Sequence, residues 1–237
     1  MKSRVEDNYN HRITNFSSDL VEVKKKIKNV IVFRTILGIL GIGLCVYLFN
    51  ISLPAAISVI VVTAILFYLL VKKHNGLEFS KLQLVTLIKI NEEEVNRLAG
   101  NNKEYSQGEE YIDLNHPYAA DLDLFGKGSL FQYINRTSGF NGSDCLAQWL
   151  LEVADEKEIL LRQEAITELK SKTDWRQNFQ AIGRLTKEKK NDLDLLDEWL
   201  NEPAFFSNLK TIELVLSILP VITIGLLFLS ISFIPIG

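Results

Sequence analysis

The stretch "VIVFRTILGILGIGLCVYLFNISLPAAISVIVVTAILFYLLV", Val30 to Val71, decides how this chain folds. It is apolar almost throughout, broken only by Arg34 near its start and by Asn50-Ile51-Ser52 in its middle. One helix needs about 20 apolar residues to cross the hydrocarbon of a bilayer, and this run is twice that length. The break carries turn chemistry: Asn50, then Ser52 as an N-cap, then Pro54 in the first turn of a second helix. The run therefore predicts a helical hairpin, with Ile31 to Phe49 leading out and Leu53 to Val71 leading back. A soluble core helix is the alternative, disfavoured because neither half has a polar face to give to water.

A third apolar run covers residues 212–236, with Lys210 and Glu213 at its edge and Pro220 placed to kink it. Lysines set the orientation. Lys24, Lys25, Lys26 and Lys28 precede the first span, and Lys72 and Lys73 follow the second. Both flanks read as cytoplasmic, so residues 72–210 are expected in the cytoplasm and the C-terminus outside. No signal peptide is read, because mostly polar residues precede the first apolar segment. The glycosylation-type triplets at Asn15, Asn50, Asn135 and Asn141 are read as chance matches, since the lysines place the chain away from a secretory lumen.

The 237 residues, 47% of them hydrophobic, suffice for one domain and a few spans. Cys45 and Cys145, the two cysteines, form no disulfide framework. Ahead of the first span, Phe16, Leu20, Val23, Ile27 and Val30 recur at helical spacing, with Ser17 or Ser18 as the cap of an amphipathic helix. Beyond the second span, Leu77, Leu84, Ile88, Val95 and Leu98 follow a heptad, with Lys81 and Asn91 at its two other core positions. This predicts a paired helix that ends at Gly100. Residues 103–123 are acidic and irregular, an ordered loop or linker.

Helices are expected again at Ser129 to Asn135, at Ser143 to Val153, after an Asp155/Glu158 capping box, after Thr173 and after Asn191. Their inward faces read as Leu146, Trp149 and Leu150; Ile159, Leu160, Ala165, Ile166 and Leu169; Trp175, Phe179, Ile182 and Leu185; and Leu193, Leu196, Trp199 and Leu200. No run alternates as a strand would.

Residues 72–210 hold 18 Lys and Arg against 24 Asp and Glu, a net charge of −6. Nucleic-acid binders concentrate basic charge on one face; only Lys187, Lys189 and Lys190 cluster here, and they read as a solvated helix end. Gly126-Lys127-Gly128-Ser129 lacks the spacing of a phosphate-binding loop and reads as a turn capped by Ser129. His116, Asp121 and Asp123 have no further ligand cluster to make a metal site and read as capping groups. Cys145 sits beside Asp144, which disfavours its thiolate. The residues offer no active site.

"LFQYINRTSGFNGSDCLAQWLL" followed by "ILLRQEAITEL" resembles the core, or lever, domain of the MutS family of mismatch-recognition ATPases. Thr137, Gly142, Leu146, Trp149 and Leu150 match the family pattern in spacing, as do Arg162, Gln163, Ala165 and Ile166. Gly139 stands where the family has a second Thr, and Asp144 where it has Arg. With the membrane hairpin and "HPYAADLDLFGKGSLFQ", the chain looks similar to membrane-anchored MutS-related proteins of bacteria.

That resemblance implies an all-α protein: a transmembrane hairpin, a cytoplasmic helical bundle of the MutS core or lever type, and a third transmembrane helix. The expected segments are an amphipathic helix (1–30), the hairpin (31–71), a helix leaving the membrane (72–100), an acidic linker (101–128), the core-like domain (129–210) and the third span (211–237). It also implies that the chain is the front portion of a longer protein, in a bacterial inner membrane, whose missing part is a fourth span and an ATPase domain. The expected function is a non-catalytic lever that couples to that domain and forms a homodimer in contact with membrane lipid. No cofactor is expected in this chain; ATP and Mg belong to the missing domain. DNA binding is the alternative, opposed by the acidic balance.

Overall fold

The computed structural model describes residues 2–101, 105–186 and 192–201, and among these all regular structure is helical. Two helices dominate: α1, Lys2–Phe49, and α2, Leu53–Leu98, of 48 and 46 residues. At 1.5 Å per residue each is about 70 Å long. Asn50–Ser52 reverses the chain between them. Ser52 holds the extended N-cap backbone and Pro54 lies in the first turn, although the Ser52 hydroxyl makes no cap bond. The two helices pack side by side, antiparallel, along their length.

Side-chain pairs fix their register. A Cβ added at Gly41 would lie 2.6 Å from the Thr63 methyl, so glycine is what lets the spans meet there. Arg34 lies over the Phe67 ring at 5.8 Å. Further from the turn, Ile27 and Val30 are buried and Phe16 packs on Leu87 and Ile90. The expected amphipathic stripe of α1 thus faces its partner.

The expected cap at Ser17 or Ser18 is overturned, because α1 runs through both residues from Lys2. Arg12 and Phe16 are held by contacts with distant residues, and such packing extends a helix past a local stop signal. The heptad of α2 also shifts. Leu84, Ile88, Val95 and Leu98 are only half-buried, whereas Leu87, Ile90 and Arg97 are buried beside Asn91, the one expected core position that is. The core stripe is turned toward a third helix, which packs beside the α1 seam.

Near the turn the hairpin is apolar on its outside. The best 18-residue windows of the two helices have mean hydropathies of 2.2 and 2.5, and only 6% of each is buried. A soluble core helix would be mostly covered. These two helices are long and apolar enough to cross a membrane. The expected third span, 211–237, lies outside the described residues.

At the other end the chain builds a small helical head. It comprises α3 (Leu130–Ile134), α4 (Phe140–Leu151), α5 (Glu156–Lys170) and α6 (Thr173–Thr186). Ser129 caps α3 through a 3.2 Å bond from the Gln132 N–H, and Asp155 caps α5 by accepting from the Glu158 N–H at 2.7 Å. The Glu158 side chain completes no capping box; it pairs with Arg162 at 2.6 Å. The acidic loop folds around Phe131, with Tyr111, Phe125 and Phe131 forming a ring trio at 5.5–5.6 Å. Gly108, at φ +65, lets the loop approach that trio, since a Cβ there would sit 2.8 Å from Phe131.

The chain divides into two compact units at Lys190/Asn191. The described part of the second is α7, Asp192–Asn201, an amphipathic helix whose Leu195, Leu196, Trp199 and Leu200 are exposed.

Residues of all four expected inward faces stand at the surface, with Leu196, Trp199 and Leu200 of α7 among them. Trp175, Phe179 and Ile182 of α6 are 55%, 68% and 46% exposed, with the first two rings stacked at 5.3 Å. Leu160 and Ile166 of α5 and Trp149 of α4 are exposed as well. For α6 the reason is visible in α2: beside Leu87 and Ile90 it offers Asn91 and Glu93, and α6 answers with Ala181, Gln177 and Arg184.

Candidate functional site

The strongest convergence of polar groups lies where the head meets the hairpin. Asn91 sits one helical turn beyond Leu87 on α2 and is fully buried. A buried amide requires partners, and Gln177 of α6 supplies them. Asn91 Nδ2 donates to Gln177 Oε1 at 3.0 Å, and Gln177 Nε2 donates back to Asn91 Oδ1 at 2.9 Å. Arg12 of α1 donates its Nε–H to the same Gln177 oxygen at 3.0 Å and pairs with Asp174 at 2.6 Å. One reciprocal amide pair thus ties three helices together.

Two forked ion pairs flank it. Arg184 grips Glu93 at 2.7 and 2.8 Å, and Arg136 grips Glu94 at 2.8 and 2.9 Å. Such two-point pairs fix orientation as well as distance. Ser138 adds a bond to the Gln180 carbonyl at 3.0 Å, and Gly183 makes room for it, since a Cβ there would meet Ser138 at 2.8 Å.

One turn further along α2, Arg97 is buried among carbonyls. It donates to the carbonyl oxygens of Gln132, Tyr133 and Asn135 at 2.8, 3.0 and 3.0 Å and lies 3.7 Å from the centre of the Tyr105 ring. Its positive charge meets the unpaired C-terminal carbonyls of α3, where cations are favoured. Burial and the neighbouring Arg136 weaken its hold on the proton, while Glu94 and Glu93 strengthen it.

Tyrosines record the same burial. Tyr111, Tyr9 and Tyr105 all have raised pKa values, from burial first in each case. For Tyr111, its 2.5 Å hydrogen bond to Asp144 and that carboxylate's charge raise it further. The folded phenols therefore keep protons that the unfolded chain gives up near pH 10.0. The sign follows: this stabilisation is complete below pH 10.0 and is lost as pH rises from there through the folded values. The unfolding midpoint, followed by tryptophan fluorescence, is expected to fall between pH 9 and pH 11, and Tyr111→Phe to flatten that fall. An unchanged midpoint over that range refutes the assignment.

The residues of the MutS-like pattern fall into two contacts and an exposed remainder. Thr137 Oγ1 bonds Asn135 at 2.7 Å and Ser143 at 2.6 Å, and a Cβ at Gly142 would lie 3.3 Å from Thr137. Arg162 lies 3.9 Å from the centre of the Trp149 ring. Leu146 and Leu150 are half-buried, while Gln163, Ala165 and Ile166 are exposed. Trp149, Leu161, Arg162 and Ala165 line a shallow open groove of about 420 Å³.

The loop groups hold structure. His116 Nε2 lies 3.1 Å from the Leu151 carbonyl at the end of α4, and Tyr118 donates to the same oxygen at 2.6 Å. Gly126 and Gly128 both take positive φ, which is the turn expected ahead of α3. Among the described residues no group of three or more His, Cys, Asp or Glu comes together as a metal site would. Asn135 is buried, consistent with a chance glycosylation match.

Sequence reasoning passed over Arg97, Gln177 and both ion pairs, but put Asn91 at a core position of the heptad, where the structure buries it. A polar residue at a core position was the available signal, because such a residue specifies a partner. No family model, curated protein or solved structure matches the chain, so the MutS resemblance gains no support from these comparisons.

Proposed function

We propose that the chain is a membrane-anchored lever, with no catalysis of its own, that holds a helical head at a fixed distance and angle from an inner bacterial membrane. One observation carries the reading. The helices that form the apolar tip continue, without a break, into the buried Asn91–Gln177–Arg12 lock that holds the head. A rigid rod that ends in lipid and in a polar joint suits the transmission of position.

The lysines flanking the tip support a cytoplasmic head. The MutS-like pattern of Thr137, Gly142, Trp149 and Arg162 supports an ATPase domain of that type as the element the lever serves, and a homodimer as its assembly. Function argued from such likeness rests on analogy, so the test goes to the anchor and the side.

Cys145 is exposed on the head and Cys45 lies in the apolar tip. In intact cells a membrane-impermeant maleimide is expected to leave Cys145 unlabelled, and in inside-out vesicles to label it fully. Labelling of Cys145 in intact cells overturns the cytoplasmic placement. Extraction of the protein by alkaline carbonate overturns the anchor, and ATP turnover by the purified chain overturns the non-catalytic role.

A further inference from the structure

The hairpin carries a ring of positive charge where its apolar surface ends. Lys24, Lys25, Lys26 and Lys28 on α1, and Lys72 and Lys73 on α2, are all exposed. Their direction is fixed by packing. Ile27 and Val30, interleaved with the α1 lysines, are buried against α2 and set the rotation of the helix. The register given by Arg34 over Phe67 and Gly41 against Thr63 brings Lys28 about level with Lys73. Counting residues at 1.5 Å each, the six ammonium groups occupy a band roughly 10 Å deep. That is close to the depth of one headgroup layer, about 5–8 Å.

The acids nearby engage one lysine of this band and leave the other five unpaired. Glu22 pairs with Lys26 at 2.7 Å, and Glu78 is taken by Lys81 at 2.5 Å. Lys24, Lys25, Lys28, Lys72 and Lys73 have no acidic partner among the ion pairs of the described residues. Residues 72–210 are net acidic, so a cluster of six lysines stands out at the boundary of the tip. Ammonium groups on flexible stems are point-charge ligands for phosphate oxygens, and lysines beside a membrane draw anionic lipid toward them.

We propose that these six lysines form a collar that selects phospholipids with a net-negative phosphodiester headgroup. The inference rests on the membrane-anchored reading and names the lipid it recruits. Zwitterionic lipids carry the same phosphate but cancel its charge with their own amine, so the collar discriminates between the two.

The test uses the full chain in nanodiscs of equal phosphatidylcholine and phosphatidylglycerol, with the retained lipid shell measured by mass spectrometry. Phosphatidylglycerol is expected to be enriched at least about threefold over the bulk. The enrichment is expected to vanish when Lys24, Lys25, Lys28, Lys72 and Lys73 are all changed to Gln and to survive when all five are changed to Arg. If the Gln variant does not reconstitute, salt at about 1 M, where the screening length is about 3 Å, is expected to abolish the wild-type enrichment.

No enrichment, or enrichment indifferent to both the Gln changes and salt, overturns the collar. Loss of enrichment on adding millimolar inorganic phosphate at constant ionic strength assigns the lysines to a soluble anion and overturns the lipid source. A protein that enters phosphatidylcholine-only discs yet enriches nothing refutes the collar alone. A protein that enters no disc refutes the anchor with it.

Discussion

Replacing Arg97 with leucine is expected to destabilise the head by about 2–4 kcal/mol, from buried carbonyl acceptors left without their donor. Arg97 is only 5% exposed, and the groups it serves are backbone carbonyls, which have no other rotamer to adopt. Two of its three acceptors, the carbonyls of Gln132 and Asn135, belong to buried residues. Without the guanidinium these oxygens lose their donor, and a buried acceptor left unpaired costs about 1–3 kcal/mol. The Tyr105 ring, 3.7 Å from the guanidinium carbon, loses a cation–π contact as well.

Arg97→Lys keeps the charge but has no planar fork to reach three oxygens, so about half the loss is expected. Unfolding of the detergent-solubilised chain, followed through Trp149 and Trp175, measures both variants. Limited proteolysis between Tyr105 and Asn135 shows where the structure opens. A leucine variant within about 0.5 kcal/mol of wild type would mean that the three carbonyls find water or other donors, and the joint would no longer depend on Arg97.

The tip and the joint differ in how legible they were. The tip is written in composition: two adjacent apolar runs with a turn between them admit one arrangement, and the structure has it. The α1 stripe through Phe16, Ile27 and Val30 was legible for the same reason, because one repeating partner, α2, faces its whole length. The joint was not legible in this way. Apolar periodicity put Trp175, Phe179 and Ile182 of α6 inside, but α6 turns Gln177 and Ala181 inward. Its docking surface on α2 sets Asn91 and Glu93 beside Leu87 and Ile90, and hydrogen bonding to those two polar groups outweighs the apolar stripe.

Arg97 was missed for a related cause. Near the end of a helix, arginine reads as a solvated or dipole-facing residue. Its burial depends on α3, which begins 33 residues further along the chain and is only five residues long. The run Glu92-Glu93-Glu94 carried a usable hint, since two of its three carboxylates meet arginines from the head. Nothing in its spacing named Arg136 and Arg184 as the partners.

The amide lock gives the most direct measure of how firmly the head is tied to the rod. Asn91→Leu and Gln177→Leu, each alone, leave the opposite amide buried without its reciprocal partner. Each is expected to destabilise the joint by about 2–3 kcal/mol. In the Gln177 variant, Arg12 also loses the acceptor for its Nε–H and retains only Asp174.

The double variant replaces both polar groups with apolar ones, beside the existing Leu87, Ile90 and Ala181 cluster. It is expected to be less damaged than the sum of the singles by about 1–3 kcal/mol, the size of a direct coupling. The double variant should also loosen the angle of the head, because leucines pack without the directional bonds that set register. Two spin labels, one at Cys145 and one introduced on the exposed face of α2, read that angle as the width of their distance distribution. Wild type should give one narrow distribution and the double variant a broad one at comparable stability. Additive single losses, or an equally narrow distribution in the double variant, would show that Asn91 and Gln177 fill space without orienting the head. The ion pairs at Glu93 and Glu94 would then be the groups that aim it.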